Sequence, residues 1–236
     1  MSTLFTDRLW KRVDTIWNSY LDHPFVKGLG EGWLEKNKFK HWLKQDYVYL
    51  IEYSRLLALG SVKAKDLETM TTFAKLLYNT LEVEMDLHRE YASQFGITPK
   101  ELEETEPGAT MTAYTSYMLN VSHRGGVEHV MASLLTCAWS YNFIGKELAN
   151  WPGSVDHEFY GHWVQMYSSE EFTKLTEECK DLMNQLAEGK PERELVELEE
   201  IVVKTSLYEY MFWDMAEKEE EWPVNLAVNQ IKIKLD

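Results

Sequence analysis

Residues 126–151 read GVEHVMASLLTCAWSYNFIGKELANW. The run lies between the Gly125-Gly126 pair and Pro152-Gly153, and its apolar residues recur at three- and four-residue steps, the spacing of an amphipathic helix. Val130, Leu134, Cys137, Tyr141 and Ile144 fall on one face of that helix. A thiol and a phenol one turn apart therefore point into whatever this face packs against. That pairing makes Cys137 the first candidate for chemistry.

Outward from this stretch the same period recurs. Leu9, Val13, Ile16 and Tyr20 form the stripe of a first helix, which must stop before His23-Pro24 because proline disfavours helical geometry in the residue before it. Phe39, Leu43, Asp46 and Leu50 mark a second helix over residues 36–59. Phe73, Leu77, Leu81 and His88 line a third, over 65–94. Two or three more fill 110–123 and 155–188. The last long one begins after Pro191, with Leu195, Leu198, Val202, Glu209 and Phe212 on a common face. No alternating strand pattern, internal repeat or low-complexity linker interrupts the series. The expectation is an all-α, single-domain helical bundle over residues 1–236.

Length and charge narrow the function. A chain of 236 residues can bury a large core. It contains no run as long and apolar as a membrane span, and its first residues, MSTLFTDRLWKR, lack a signal-peptide core, so a soluble, cytoplasmic protein is expected. Cys137 and Cys179 form neither a zinc spacing nor a disulfide framework, which fits reduced thiols. A net charge of -15 repels phosphate backbones and anionic lipid, so no nucleic-acid or membrane partner is expected. Neutral or cationic small molecules remain admissible. The acidic runs ELEETE (101–106) and EKEEE (217–221) read as solvated helix faces or ends.

Polar residues inside apolar stripes carry more information. Burying one alone costs about 2–7 kcal/mol on transfer scales, so each needs a partner. Asp46 lies between Trp42 and Leu50 at four-residue steps. Glu209 sits among the aromatics of TSLYEYMFWDM with Ser206 on its stripe; an acid so placed has a raised pKa and makes a good proton donor near neutral pH. A lone buried cysteine is more often an inert hydrophobe. With a proton-shuttling acid and a second acid to orient a substrate, the thiol instead completes a covalent catalytic set. His129, two turns before Cys137, is the nearest histidine in that helix, and no papain-like signature accompanies it. Tyr49, Tyr114, Tyr141 and Tyr167 come from different helices, so several phenols can line one pocket and stack on a flat heteroaromatic ring.

Metal binding is the competing reading of two pairs, Glu84 with His88 and Glu158 with His162, each one turn apart. Di-iron bundles use Glu-x-x-His at three-residue spacing, which neither pair has. No metal site and no cofactor are expected, and Glu84 with His88 reads as a structural pair.

Six blocks, HPFVKGLGEG, FKHWLKQDYVYL, EVEMDLHREY, TAYTSYM, LLTCAWSYNFIG and SLYEYMFWDMA, together resemble the TenA, or thiaminase II, proteins of the branch that carries an active-site cysteine. The blocks recur in family order and span His23 to Ala216. The resemblance implies a haem-oxygenase-like helical fold without haem, a homotetramer, and a role in thiamine salvage. It implies hydrolysis of 4-amino-5-aminomethyl-2-methylpyrimidine, thiamine, or both, to 4-amino-5-hydroxymethyl-2-methylpyrimidine through a covalent cysteine adduct. By motif Cys137 matches the nucleophile, Glu209 the catalytic acid/base and Asp46 the acid that holds the pyrimidine amino group. Tyr49, Tyr114, Tyr141 and Tyr167 match pocket tyrosines, Tyr167 the most loosely, because QMYSSEEF departs from the usual glycine-rich run. Two other classes compete: a non-catalytic pyrimidine-binding or regulatory protein, and a metal-dependent oxidase suggested by the Glu84/His88 spacing.

Overall fold

The structure, a computed structural model, describes residues 4–223. Among the described residues the elements are α1 (Phe5–Leu21), α2 (Pro24–Glu31), α3 (Lys36–Lys63), α4 (Leu67–Tyr78), a π-helical turn (Asn79–Glu84), α5 (Met85–Gln94), α6 (Pro99–Glu103), α7 (Ala109–Arg124), α8 (Val127–Ala149), α9 (Gly161–Ser168), α10 (Glu170–Ala187) and α11 (Glu192–Glu217). There is no strand among them, and the expectation of an all-α bundle holds.

Helix α8 is the axis. It packs against α3, α7, α9, α10 and α11, and for that reason it is buried almost all round rather than along one stripe. Val130, Leu134, Tyr141 and Ile144 are buried as their spacing predicts. The tryptophans Trp17, Trp42, Trp163 and Trp213, from α1, α3, α9 and α11, are fully buried in one connected apolar cluster around it. Gly145 lets α9 approach: a Cβ there would stand 2.6 Å from the Tyr167 carbonyl carbon. Asn142 fastens the same junction, donating to the Tyr167 carbonyl at 2.9 Å and to Thr173 Oγ1 at 3.0 Å.

Three local features depart from the periodic reading. Helix α1 stops at Leu21 as His23-Pro24 requires, but Pro24 also opens α2. Proline suits a first helical position, where its missing N–H is not needed, and His23 Nδ1 caps the turn by accepting from the Phe25 N–H at 3.2 Å. The expected helix over 65–94 is divided by the π-helical turn, in which the Met85 N–H bonds the Thr80 carbonyl five residues back. The wider step turns Thr80 and Met85 inward and leaves Leu81 exposed, against its expected place on the stripe. Finally, α9 begins only at Gly161, so Glu158 precedes the helix that carries His162, and both side chains are exposed.

Candidate active site

The seven residues singled out from the sequence meet around Cys137. Helix α3 supplies Asp46 and Tyr49, α7 Tyr114, α8 Cys137 and Tyr141, α9 Tyr167, and α11 Glu209. The charges that act most on the thiol are Glu209, Glu84 and Asp46, in that order. The phenols form two touching groups. Tyr49 and Tyr114 have ring centroids 5.4 Å apart; Tyr141 and Tyr167 meet edge-on at 4.9 Å, with Trp213 5.2 Å from Tyr141.

Glu209 is buried, and its Oε1 accepts the Tyr114 hydroxyl at 2.7 Å. Burial raises its pKa to about 7, with the Tyr114 hydrogen bond acting in the opposite sense by favouring the ionised form. Asp46 is buried too. Desolvation holds its pKa well above the usual carboxylate range, reinforced by the charges of Glu84 and Glu209. Its neighbour is His88, whose Nδ1 lies 3.5 Å from Asp46 Oδ2 and whose Nε2 lies 2.7 Å from the Leu43 carbonyl. Only an N–H can satisfy a carbonyl, which places the imidazole proton on Nε2 and turns the Nδ1 lone pair to Asp46. Burial lowers the His88 pKa to about 4, so a neutral imidazole faces a carboxyl that also favours its neutral form.

Burial first, then the three acids, pushes the Cys137 thiol well up. The Tyr49 hydroxyl, buried without a satisfied hydrogen bond of its own, faces the sulfur and favours the thiolate. Cys137 is only half-buried because it borders a cavity of about 210 Å³. Of the seven residues it alone lines that cavity, together with Tyr53 and Glu84; the other six are buried.

Tyr53 and Glu84 were not among the expected site residues. Tyr53 follows Asp46 and Tyr49 by seven and four residues on α3, a same-face spacing that could have found it. The four-residue spacing predicts Glu84 as the partner of His88. That reading is corrected: His88 pairs with Asp46 and Leu43, and Glu84 faces the cavity. His129 is held elsewhere, between Glu128 and Glu197. Among the described residues no group of three or more His, Cys, Asp or Glu side chains is arranged to hold a metal ion. None of the described helices is long and apolar enough to cross a membrane.

Known proteins share this architecture. An aminopyrimidine aminohydrolase from Halalkalibacterium halodurans is 49% identical over 94% of this chain and 99% of its own length. An aminopyrimidine aminohydrolase from Helicobacter pylori is 40% identical over 88% of this chain and 96% of its own. Among solved structures, a TenA homologue from P. horikoshii superposes with a TM-score of 0.85 at 27% identity, covering 92% of this chain and all of that one. A Shewanella denitrificans domain described as having a heme oxygenase-like fold superposes at 0.75 with 16% identity, a likeness of fold alone. The model of the TENA/THI-4/PQQC family matches residues 10–219. With that match across most of its length, and relatives this similar over nearly their whole chains, the protein belongs to the TENA/THI-4/PQQC family.

Proposed function

We propose that this chain is an aminopyrimidine hydrolase of the thiaminase II type. It converts 4-amino-5-aminomethyl-2-methylpyrimidine, thiamine, or both, to the 5-hydroxymethyl compound through a covalent adduct on Cys137. The observation that carries the reading is the meeting of one cavity-lining thiol with two buried acids, Asp46 and Glu209, from separate helices. Relatives named aminopyrimidine aminohydrolase support the reaction class.

The chemistry follows from the groups present. A thiol held this far above its ordinary pKa does not ionise unaided. Glu209, titrating at about 7, takes the thiol proton and passes it to a ring nitrogen, so sulfur attack and ring protonation avoid a lone buried charge. Sulfur adds to the ring carbon beside the one that bears the methylene substituent. Asp46, with its Oδ2 side on His88, offers its other oxygen to the exocyclic amine and fixes that approach. The electrons of the adduct then expel the substituent, leaving an exocyclic methylene. Water adds to that carbon, the thiolate departs, and the ring is restored. Tyr49, Tyr114, Tyr141 and Tyr167 supply aromatic walls for a flat ring.

The setting is part of the same reading. The whole chain acts as one domain, in the cytoplasm, in thiamine salvage, and as a homotetramer. Two free cysteines support the compartment. Exposed Leu67, Met70, Tyr78 and Leu81, along α4 and the π-turn, support assembly.

The test is a product assay on the aminomethylpyrimidine. Cys137→Ser is expected to keep the fold by circular dichroism and to form no hydroxymethyl product above background. Turnover by that variant at the parent rate would remove the covalent mechanism.

A further inference from the structure

Glu84 has no part in the steps above, yet it shares the cavity with Cys137. It comes from the π-helical turn, whose polar cavity-lining residues are Asn79, Thr80 and Glu84; the rest of the lining is mostly apolar, with Leu50, Leu76 and Phe172 beside Tyr53, and its other carboxylate, Glu171, is exposed at the rim with Ser169. A carboxyl so placed is costly without a partner. No Lys, Arg or His among the described residues pairs with it, and the polar group acting on it is the Thr80 hydroxyl. Burial raises its pKa to about 7. This is an acid kept in an apolar cavity, beside the nucleophile, without a protein cation to neutralise it.

The substrate can supply that cation. The substituent on the methylene carbon sits next to the ring carbon that Cys137 attacks, so the leaving group departs near the space that Cys137 borders. In an aminomethylpyrimidine the substituent is a primary amine, an ammonium in water. Moved into an apolar cavity alone, it would lose its proton, because desolvation disfavours the charged form. Without that proton the C–N bond would have to release an amide anion.

We infer that Glu84 binds the ammonium substituent of the substrate and sets a preference for a basic leaving group. This rests on the hydrolase reading and deepens it. The carboxylate accepts hydrogen bonds from the ammonium and keeps its proton in place. When the adduct collapses, the C–N electron pair goes to nitrogen and the group leaves as neutral ammonia with its three protons. The adduct's own electrons close the exocyclic double bond, and Glu84 remains a carboxylate.

Binding and turnover test this separately. In a Cys137→Ser background, calorimetry compares the aminomethylpyrimidine with the hydroxymethylpyrimidine. Adding Glu84→Gln is expected to weaken the aminomethyl compound by about 30-fold or more and to leave the hydroxymethyl compound nearly unchanged. With Cys137 intact, Glu84→Gln is expected to lower kcat/KM for the aminomethyl substrate far more than for its formylated, uncharged relative, and Glu84→Asp to restore part of the difference. Equal losses on both ligands, or none on either, would overturn the role of Glu84 while leaving the hydrolase reading intact. Failure of the Glu84-containing protein to bind or turn over any of these pyrimidines would overturn both.

Discussion

A carboxyl that takes and returns a proton at neutral pH needs a pKa near 7, and Glu209 reaches about 7 through two opposed effects. Burial raises it, and the 2.7 Å hydrogen bond from Tyr114 restrains the rise. The sign of a Tyr114→Phe change follows. Losing a donor to the ionised form raises the Glu209 pKa further, so the acid stays protonated to higher pH. Glu209 must begin as the carboxylate to take the thiol proton, so the acidic limb of the kcat/KM profile on the aminomethylpyrimidine is expected to move up. A limb that stays put or moves down would separate Glu209 from that ionisation. The same residues show how much of the site is legible in the sequence. Asp46, Cys137 and Glu209 stood out because each interrupts an apolar stripe on a regular helix, and a polar group in such a place must face something. The proton on His88 Nε2 could not be seen, since it depends on the Leu43 carbonyl, forty-five residues away in the chain.

Elements were legible where the α-helical period continues unbroken. Helices α1, α3, α7, α8 and α11 have enough turns for their stripes to repeat. Helix α2 was missed because a proline ends one helix and can start the next, and eight residues hold too few repeats to show a face. The π-helical turn was missed because one wider turn shifts every later residue without a composition signal, which is why Glu84 seemed to look at His88. Gly145 sets the fit of α8 against α9. In Gly145→Ala the added methyl would meet Tyr167 and Ser168 backbone atoms at 2.6 and 2.9 Å, atoms that cannot swing aside as a side-chain tip can. The expected result is a loss of about 1–3 kcal/mol in stability, with a higher KM for the pyrimidine as Tyr167 shifts from Tyr141. Thermal unfolding and steady-state kinetics read the two effects, and an unchanged KM would remove Tyr167 from the pocket wall.

At the scale of the whole molecule, a chain of net charge -15 folds around acids that it keeps from water. This makes its stability depend on pH in a stated direction. Glu209 has a folded pKa of about 7 against an ordinary value of 4.5, so between those values the folded chain holds a proton that the unfolded chain has released. Stability from this group is fully present below 4.5 and falls as pH rises toward 7, by about 3 kcal/mol in all. Glu84 acts in the same sense. Glutamine keeps the shape and the acceptor for Tyr114 but never ionises. Glu209→Gln should therefore gain stability relative to the parent as pH rises from 5 to 8, widening the Tm difference by on the order of 5 °C, while turnover drops by about 100- to 10,000-fold. Comparing the two proteins at each pH cancels the repulsion among surface carboxylates, which both share. A Tm difference that is flat or narrows over that range would mean that Glu209 is already ionised in the folded protein at low pH. Its place as the proton carrier would then be lost along with the stability argument.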